Sequence, residues 1–186
     1  PEIQFCQATG DNANQNPIVS NYHTYMGAVY QGRYIAGIVA GMKLQEMISE
    51  GKITPQDAKI GYVGAYAYAE VISGYTSFYL GVRSVVPEAV MTVKYTNTWS
   101  SYSTEKQAAK ELVDEDCVVI SQHSDTVGPA AICENAQRDI PVYHVGYNQS
   151  MTDIAPTRSL VSCCVDYSSY FEQSVYALSL IHISEP

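Results

Sequence analysis

Between residues 59 and 148, four short apolar runs alternate with helical patterns, and this alternation constrains the fold more than any other feature of the chain. The runs are KIGYVGAY (59–66), VMTVKYTNTW (90–99), CVVISQHSD (117–125) and IPVYHVGYN (140–148). Helical patterns cover about 69–84, 103–115 and 127–138. Strands that alternate with helices form a parallel sheet with helices on both faces. The sequence therefore predicts an α/β fold with a parallel, doubly wound sheet.

Polar and aromatic residues follow each apolar run, at the point where each predicted strand ends. Right-handed crossovers bring the carboxyl ends of parallel strands to one edge of the sheet, and ligands bind at that edge. The residues there are Ala65-Tyr66, Thr98-Trp99, Gln122-His123-Ser124-Asp125 and Gly146-Tyr147-Asn148. We therefore expect this edge to form a wall of a small-molecule cleft.

Six residues of this edge are candidate ligand-binding residues. Trp99, the single tryptophan, either stacks on a planar ligand or lies at the edge of the core. Tyr66 offers another stacking face and lies nearer to its strand end than Tyr68 does. Asp125 either accepts hydrogen bonds from a ligand or helps Thr126 to cap the next helix. The six candidates are Tyr66, Trp99, His123, Asp125, Tyr147 and Asn148.

The sequence predicts no metal site, no cofactor and no catalytic group. His123 has no second histidine nearby, which favours a hydrogen-bonding role over metal ligation. His144 lies mid-strand and is expected to face a helix rather than the cleft. The five cysteines lack metal-binding spacing and are interpreted as small buried hydrophobes. Because phosphate-binding, hydrolase and metalloprotease motifs are also absent, we predict that the protein is not an enzyme.

Composition excludes other functional classes. With 46% hydrophobic and 16% charged residues, the chain is expected to be globular. Its net charge of −9 is spread along the sequence, which argues against nucleic acid and against an anionic membrane surface. The longest apolar stretch, 34–42, is too short to span a bilayer and falls in a helix predicted at about 27–49. The polar segment GKITPQDA (51–58) indicates a boundary between lobes.

Both ends of the chain are expected to be unnatural. The sequence opens at Pro1-Glu2-Ile3 without an initiator methionine or a signal sequence, within a segment that already has the pattern of a strand. At the other end, LSLIHISEP (178–186) matches one reading frame of a common sequencing adapter. We therefore expect a fragment of a longer protein with an adapter-encoded tail.

Several segments together resemble the basic membrane protein family, which comprises substrate-binding lipoproteins of ABC transporters related to the purine nucleoside receptor. The resemblance covers residues 1–177 in order, and it implies a type I periplasmic-binding-protein fold with two doubly wound lobes, a three-strand hinge and ligand in the cleft. The segments that carry it include YQGRYIAGIVAG (30–41), TNTWSSYSTEKQAAKELVDE (96–115), SQHSDT (121–126), VGYNQSMTDIAP (145–156) and the segment from 59 to 89 that begins KIGYVGAY.

The resemblance also implies how the chain divides. Residues 1–58 would be the C-terminal remnant of the first lobe, and residues 59–166 would form the second lobe. Residues 167–177 would begin a following helix, and 178–186 would be the artefact. The earlier part of the first lobe, with a loop that the family uses on its ligand, would be missing.

By this resemblance, the protein would be the substrate-binding component of an ABC importer, with a nucleoside as the best guess for the ligand. Its partner would be the ABC permease, and a lipid anchor outside this sequence would hold it to the membrane in an extracytoplasmic location. Asn148 departs from the aspartate that nucleoside binders of the family carry after Gly-x, so it lacks the charged, bidentate acceptor. The alternative is a sensory or regulatory protein with the same fold.

Overall fold

The computed structural model describes residues 3–10 and 12–183, with the side chains of residues 181–183 excepted. The chain divides into two compact units. The smaller unit consists of Pro1–Ala28 with Val165–Pro186, and the larger one is Val29–Cys164. Among the described residues, no helix combines the length and the apolar character needed to cross a bilayer.

The larger unit is built on a five-stranded sheet in which every pair of neighbours is parallel. The strands are β3 (Lys59–Gly64), β4 (Val90–Tyr95), β5 (Val119–His123), β6 (Tyr143–Tyr147) and β7 (Ser159–Cys163). Their order in the sheet is β4-β3-β5-β6-β7. The predicted parallel sheet is therefore confirmed, and the apolar segment at 159–163 adds a fifth strand to it.

Helices cover both faces of this sheet. They are α1 (Val29–Ser49), α2 (Ala69–Arg83), α3 (Tyr102–Asp114) and α4 (Gly128–Asn135). Tyr62 of β3 packs in a core with Ala40 of α1 and Phe78 of α2, whereas its neighbour Val63 packs with Leu112 of α3 on the opposite face. Successive side chains of a strand point to opposite faces, so one buried strand contributes to both cores.

Helix α1 belongs to the same unit as the sheet, which differs from the lobe boundary expected near residue 58. It packs closely on α2, because a Cβ on Gly37 would lie only 2.1 Å from the Phe78 carbonyl oxygen. The polar segment that indicated a boundary is a connection from α1 to β3. It contains a short 3-10 helix, Pro55–Asp57, in which the Thr54 hydroxyl and N–H both donate to the Asp57 carboxylate.

Both ends of α3 have the features of regular helix ends. Ser101 caps its amino end, since the Thr104 N–H donates to Ser101 Oγ at 3.4 Å. After its carboxyl end, Asp116 adopts the left-handed conformation with φ of 68°, which a glycine more often takes at that position.

The described part of the smaller unit contains two short parallel strands and one helix. They are β1 (Phe5–Ala8), β2 (Tyr22–Tyr25) and α5 (Ser168–Ile183). The ring of Tyr25 stacks on Tyr170 with a centroid distance of 3.7 Å, and Tyr167 and Phe171 meet Tyr25 edge-on. An aromatic cluster therefore joins β2 to α5.

Removal of residues 178–186 should leave the thermal unfolding temperature unchanged within error. Helix α5 continues into this tail, but the Leu180 side chain is 46% exposed, so little apolar surface is lost by cutting there. The side chains of Ile181 and His182 lie outside the described residues. Differential scanning calorimetry of the two chains is the measurement. A drop of several degrees would show that the tail is part of the folded unit.

Candidate ligand-binding site

The carboxyl edge of the large sheet carries a continuous row of rings. Tyr66, after β3, stacks on Tyr68 with centroids 4.9 Å apart and lies 6.1 Å from the ring of Trp99, after β4. Trp99 lies 6.2 Å from His123 at the end of β5, and His123 lies 4.2 Å from Tyr147 at the end of β6. We call these five residues the aromatic row. Four of the six predicted site residues are therefore neighbours in space.

Exposure varies along the aromatic row. Tyr68 is exposed, Tyr66 and Trp99 are half-buried, and Tyr147 and His123 are buried. The rings of Tyr66 and Trp99 are thus partly accessible while resting on protein, which is the situation of a side chain that can stack on a flat ligand.

Asp125 lies in a loop that the backbone fixes in place. Its N–H donates to the Trp99 carbonyl oxygen at 2.8 Å, and its own carbonyl oxygen accepts from Gln149 Nε2 at 3.2 Å. The Thr126 hydroxyl accepts from the Gly128 N–H at the start of α4 without help from Asp125. The Asp125 side chain reaches solvent, yet the surrounding protein raises its pKa from the ordinary value, and the Glu105 and Glu70 carboxylates add to that shift.

A buried carboxylate, Glu105, holds the residues on either side of Asp125. Its Oε2 accepts from the Ser124 hydroxyl at 2.7 Å and from the Thr126 N–H at 3.2 Å, while its Oε1 accepts from the Ser101 N–H at 3.2 Å. Glu105 lies in the first turn of α3, where a carboxylate also complements the helix dipole. The serine four residues before it was the available signal for the cap, but the partners in the Asp125 loop are distant in sequence.

Gln122 ties the same loop to β6. Its Nε2 donates to the carbonyl oxygens of Ser124 and Thr126 at 2.8 and 2.7 Å. Its Oε1 faces His144 Nε2 at 3.0 Å, and because an amide oxygen only accepts, that ring nitrogen carries the hydrogen. His144 therefore serves a buried network and does not line the edge, in agreement with the expectation from its mid-strand position.

His123 is the fully buried member of the aromatic row. Its ring is fully buried, and Gly74 of α2 makes room for it, since a Cβ there would lie 2.6 Å from Nδ1. Nδ1 lies 3.4 Å from the Tyr62 hydroxyl, and Nε2 lies 3.7 Å from Glu70 Oε1. Burial lowers the pKa of His123; the nearby Glu70 carboxylate partly offsets this shift, and the positive charge of Arg33 adds to it. The ring is accordingly neutral near pH 7.

Asn148 follows β6 in the left-handed conformation, with φ of 57°, and its N–H donates to the Cys163 carbonyl oxygen at 2.7 Å. Asparagine tolerates this conformation better than most residues. Asn148 is exposed and directly follows the carboxyl end of β6, so it lies at the same edge of the sheet as Asp125.

Arg33 of α1 supports the end of β6 from below, a role that the sequence did not indicate. It is fully buried, and it donates to the Gly146 carbonyl oxygen at 3.0 Å and to Ser121 Oγ at 2.5 Å. Its guanidinium carbon lies 5.2 Å from the Tyr62 ring centroid and 5.3 Å from that of Phe78. A charged residue within an otherwise small and apolar helix face was the only signal in the sequence.

The fold is shared with solute-binding proteins of ABC transporters. The structure of a solute-binding protein from Aeropyrum pernix K1 matches with a TM-score of 0.71 and 15% identity, over 86% of this chain and 43% of that one. One from Conexibacter woesei matches with a TM-score of 0.65 and 16% identity, over 95% and 54%. The α/β fold is that of a periplasmic binding protein.

The chain belongs to the family of PnrA-like ABC transporter substrate-binding proteins, whose model matches residues 1–177. It is 33% identical to the "Putative ABC transporter glucose-binding protein TsgA13" of Haloferax volcanii, over 96% of this chain and 40% of that protein. It is 30% identical to a purine-binding protein of Brucella abortus, over 92% of this chain and 43% of that one. The chain thus spans less than half the length of these curated relatives.

Proposed function

We propose that this chain supplies one wall of the ligand cleft of an ABC importer's substrate-binding protein, and that the ligand is a nucleoside. The observation that carries the proposal is the aromatic row, which places partly accessible rings beside Asp125 and Asn148 at the carboxyl edge of a parallel sheet. A purine or pyrimidine base would stack on Trp99 or Tyr66, while the polar side chains would hold hydroxyls and ring nitrogens.

One curated relative is named as a purine-binding protein and another as a glucose-binding protein. The proposal that the ligand carries a base therefore depends on the geometry of the site. Aromatic side chains present flat apolar faces, and a heteroaromatic base fills such a face more completely than a sugar does. Asn148 can both accept and donate a hydrogen bond, which suits a base edge or a ribose hydroxyl.

In this proposal, residues 29–164 form the second lobe of a two-lobed binding protein, and residues 1–28 with those after 164 continue into the first lobe. The lobes close over the ligand by a hinge motion, which is the usual motion of such proteins. The full-length protein delivers its ligand to a membrane permease from an extracytoplasmic position, held by a lipid anchor. It binds the ligand without transforming it. The sequence carries no nucleophile motif, and the side chains of His123 and His144 are fully buried.

Calorimetric titration of a full-length protein that carries this sequence, with a panel of nucleosides and glucose, tests the proposal. We expect saturable binding of at least one nucleoside with one site per chain and no product after prolonged incubation. Binding of glucose alone would remove the nucleoside while leaving the solute-binding function. Turnover of any ligand would remove both.

Trp99→Ala and Asn148→Ala should each weaken nucleoside binding by roughly 1–3 kcal/mol, because each removes a contact that is dehydrated in the closed protein. The measurement is the dissociation constant by the same calorimetry. Tyr143→Ala is the matched control, since this half-buried ring lies at the amino end of β6 and should leave affinity unchanged. Equal affinities of Trp99→Ala and the parent protein would show that the aromatic row does not contact the ligand.

A further inference from the structure

Glu70 is an acidic residue at the candidate site that the sequence pattern did not single out. It lies in the first turn of α2, directly after the loop that carries Tyr66 and Tyr68, and its side chain is 13% exposed. The positive end of the helix dipole favours a carboxylate in a first turn. Among the described residues, no lysine or arginine forms an ion pair with Glu70.

A second observation concerns the buried ring nitrogen that lies near Glu70. His123 Nε2 is fully buried, has no hydrogen-bond partner among the described residues, and lies 3.7 Å from Glu70 Oε1. That distance is longer than a hydrogen bond. A buried polar atom without a partner is costly, so its presence at a ligand edge indicates a group that tightens when the site is occupied.

The tautomer of His123 follows from its other neighbour. Burial raises the pKa of Tyr62, so its hydroxyl keeps its proton and can donate to Nδ1. Nδ1 is then the acceptor, and Nε2 carries the hydrogen that faces Glu70. Burial, together with the charge of Arg33 beside the Tyr62 ring, lowers the pKa of His123 and makes its protonated form unfavourable. His123 is therefore a neutral donor that can orient the Glu70 carboxylate.

Glu70 and Asp125 together make this edge acidic. Burial raises the pKa of Asp125, and the negative charges of Glu105 and then Glu70 raise it further. Asp125, like Glu70, forms no ion pair with a lysine or arginine among the described residues, and Arg33, whose charge acts on His123, is fully buried. Two carboxylates without a surface cation attract hydrogen-bond donors and repel a phosphate group.

We propose that Glu70 is a ligand-binding residue, oriented by His123, that accepts a hydrogen bond from a hydroxyl or N–H of the ligand, and that with Asp125 it excludes phosphorylated ligands. This inference rests on the proposed function and refines it. The substrate class becomes neutral, donor-rich metabolites such as nucleosides and free sugars, and their phosphate esters are rejected. His123 is a positioning residue that acts through Glu70.

The test uses a full-length protein that carries this sequence and five probes: adenosine, inosine, glucose, AMP and glucose 6-phosphate. We expect the parent protein to bind at least one neutral probe and to bind the phosphate ester of that class at least 100-fold more weakly. Glu70→Gln should weaken binding of the neutral probe at least 10-fold and reduce the discrimination against its phosphate ester. Glu70→Asp, which keeps the charge, should recover part of that discrimination.

Glu88→Gln is the matched control, because it removes the same charge from an exposed residue that precedes β4, at the opposite edge of the sheet. It should change neither affinity nor discrimination. Both glutamine variants should stay folded, and Glu70→Gln should lose only the small dipole stabilisation of its carboxylate. His123→Asn should weaken binding in the parent but add little to Glu70→Gln, since it acts through the same carboxylate.

Parent-like affinity and discrimination in Glu70→Gln would overturn this inference while leaving the proposed function in place. Equal binding of neutral and phosphorylated probes by the parent would overturn the exclusion of phosphate esters. If the parent protein bound none of the five probes, the proposed function would fail, and the role of Glu70 would fail with it.

Discussion

Lowering the pH from 6.5 to 4.5 should destabilise this protein by about 2 kcal/mol through His144 alone. Burial and the charge of Arg33 lower the pKa of His144 from its ordinary value of 6.5 to about 3. In this interval the unfolded chain binds a proton that the folded chain does not, so stability falls as the pH falls. The full stability is present above pH 6.5, where His144 is neutral in both the folded and the unfolded chain. The pKa of His123 is lowered by the same causes, and it adds to the loss.

The interval between pH 6.5 and 4.5 separates this effect from that of the carboxylates. Hydrogen-bonded Asp57 and Asp166 have lowered pKa values, so their contribution is lost only at lower pH. Asp125 works in the opposite direction, because its pKa is raised. Urea unfolding at a series of pH values measures the slope.

His144→Gln should flatten that slope. The glutamine amide can still donate to Gln122 Oε1, but it does not titrate. His23→Gln is the matched control, since it makes the same substitution at an exposed position in the smaller unit. A slope that persists unchanged in His144→Gln would contradict the assignment of acid sensitivity to this residue.

Gly37→Ala and Gly81→Ala should each destabilise the protein by about 3 kcal/mol, the upper part of the range for overpacking. A Cβ at Gly37 would lie 2.1 Å from the Phe78 carbonyl oxygen, and one at Gly81 would lie 2.2 Å from that of Tyr34. Both clashes are with backbone atoms, so α1 and α2 must separate. The higher helix propensity of alanine offsets only about 1 kcal/mol.

Gly41→Ala provides a graded comparison on the same helix. Its Cβ would lie 2.9 Å from the Val82 carbonyl oxygen, a milder clash, so the loss of stability should be smaller than at Gly37. The free energy of unfolding of the three variants is the measurement. Equal stability of Gly37→Ala and the parent would show that the two helices do not pack as closely as described.

The sequence predicted the sheet because its signals are local. Apolar runs of strand length, separated by helical periodicity, determine a parallel α/β sheet without knowledge of any distant contact, and β3, β4, β5 and β6 lie where the runs do. The unit to which α1 belongs was harder to predict from the sequence. The polar segment 51–58 has the composition of a boundary, but only the close approach of Gly37 and Gly81 decides which unit the helix joins.

The candidate site was predictable to the extent that it depends on strand ends. Tyr66, Trp99 and Tyr147 lie in one row with His123 because they follow, or end, adjacent parallel strands. The supporting residues were not predictable in this way. Glu105 meets Ser124 across 19 positions and Arg33 meets Gly146 across 113, and such pairings depend on the packing of helices against the sheet rather than on a local pattern.

The most direct test of the central claim, that the carboxyl edge of this sheet is one wall of a ligand cleft, is a crystal structure of a full-length protein that carries this sequence, with its ligand bound. We expect the flat face of the ligand to stack on Trp99 or Tyr66, with hydrogen bonds to Asp125 and Asn148. A ligand bound in contact with none of these four residues would contradict the account.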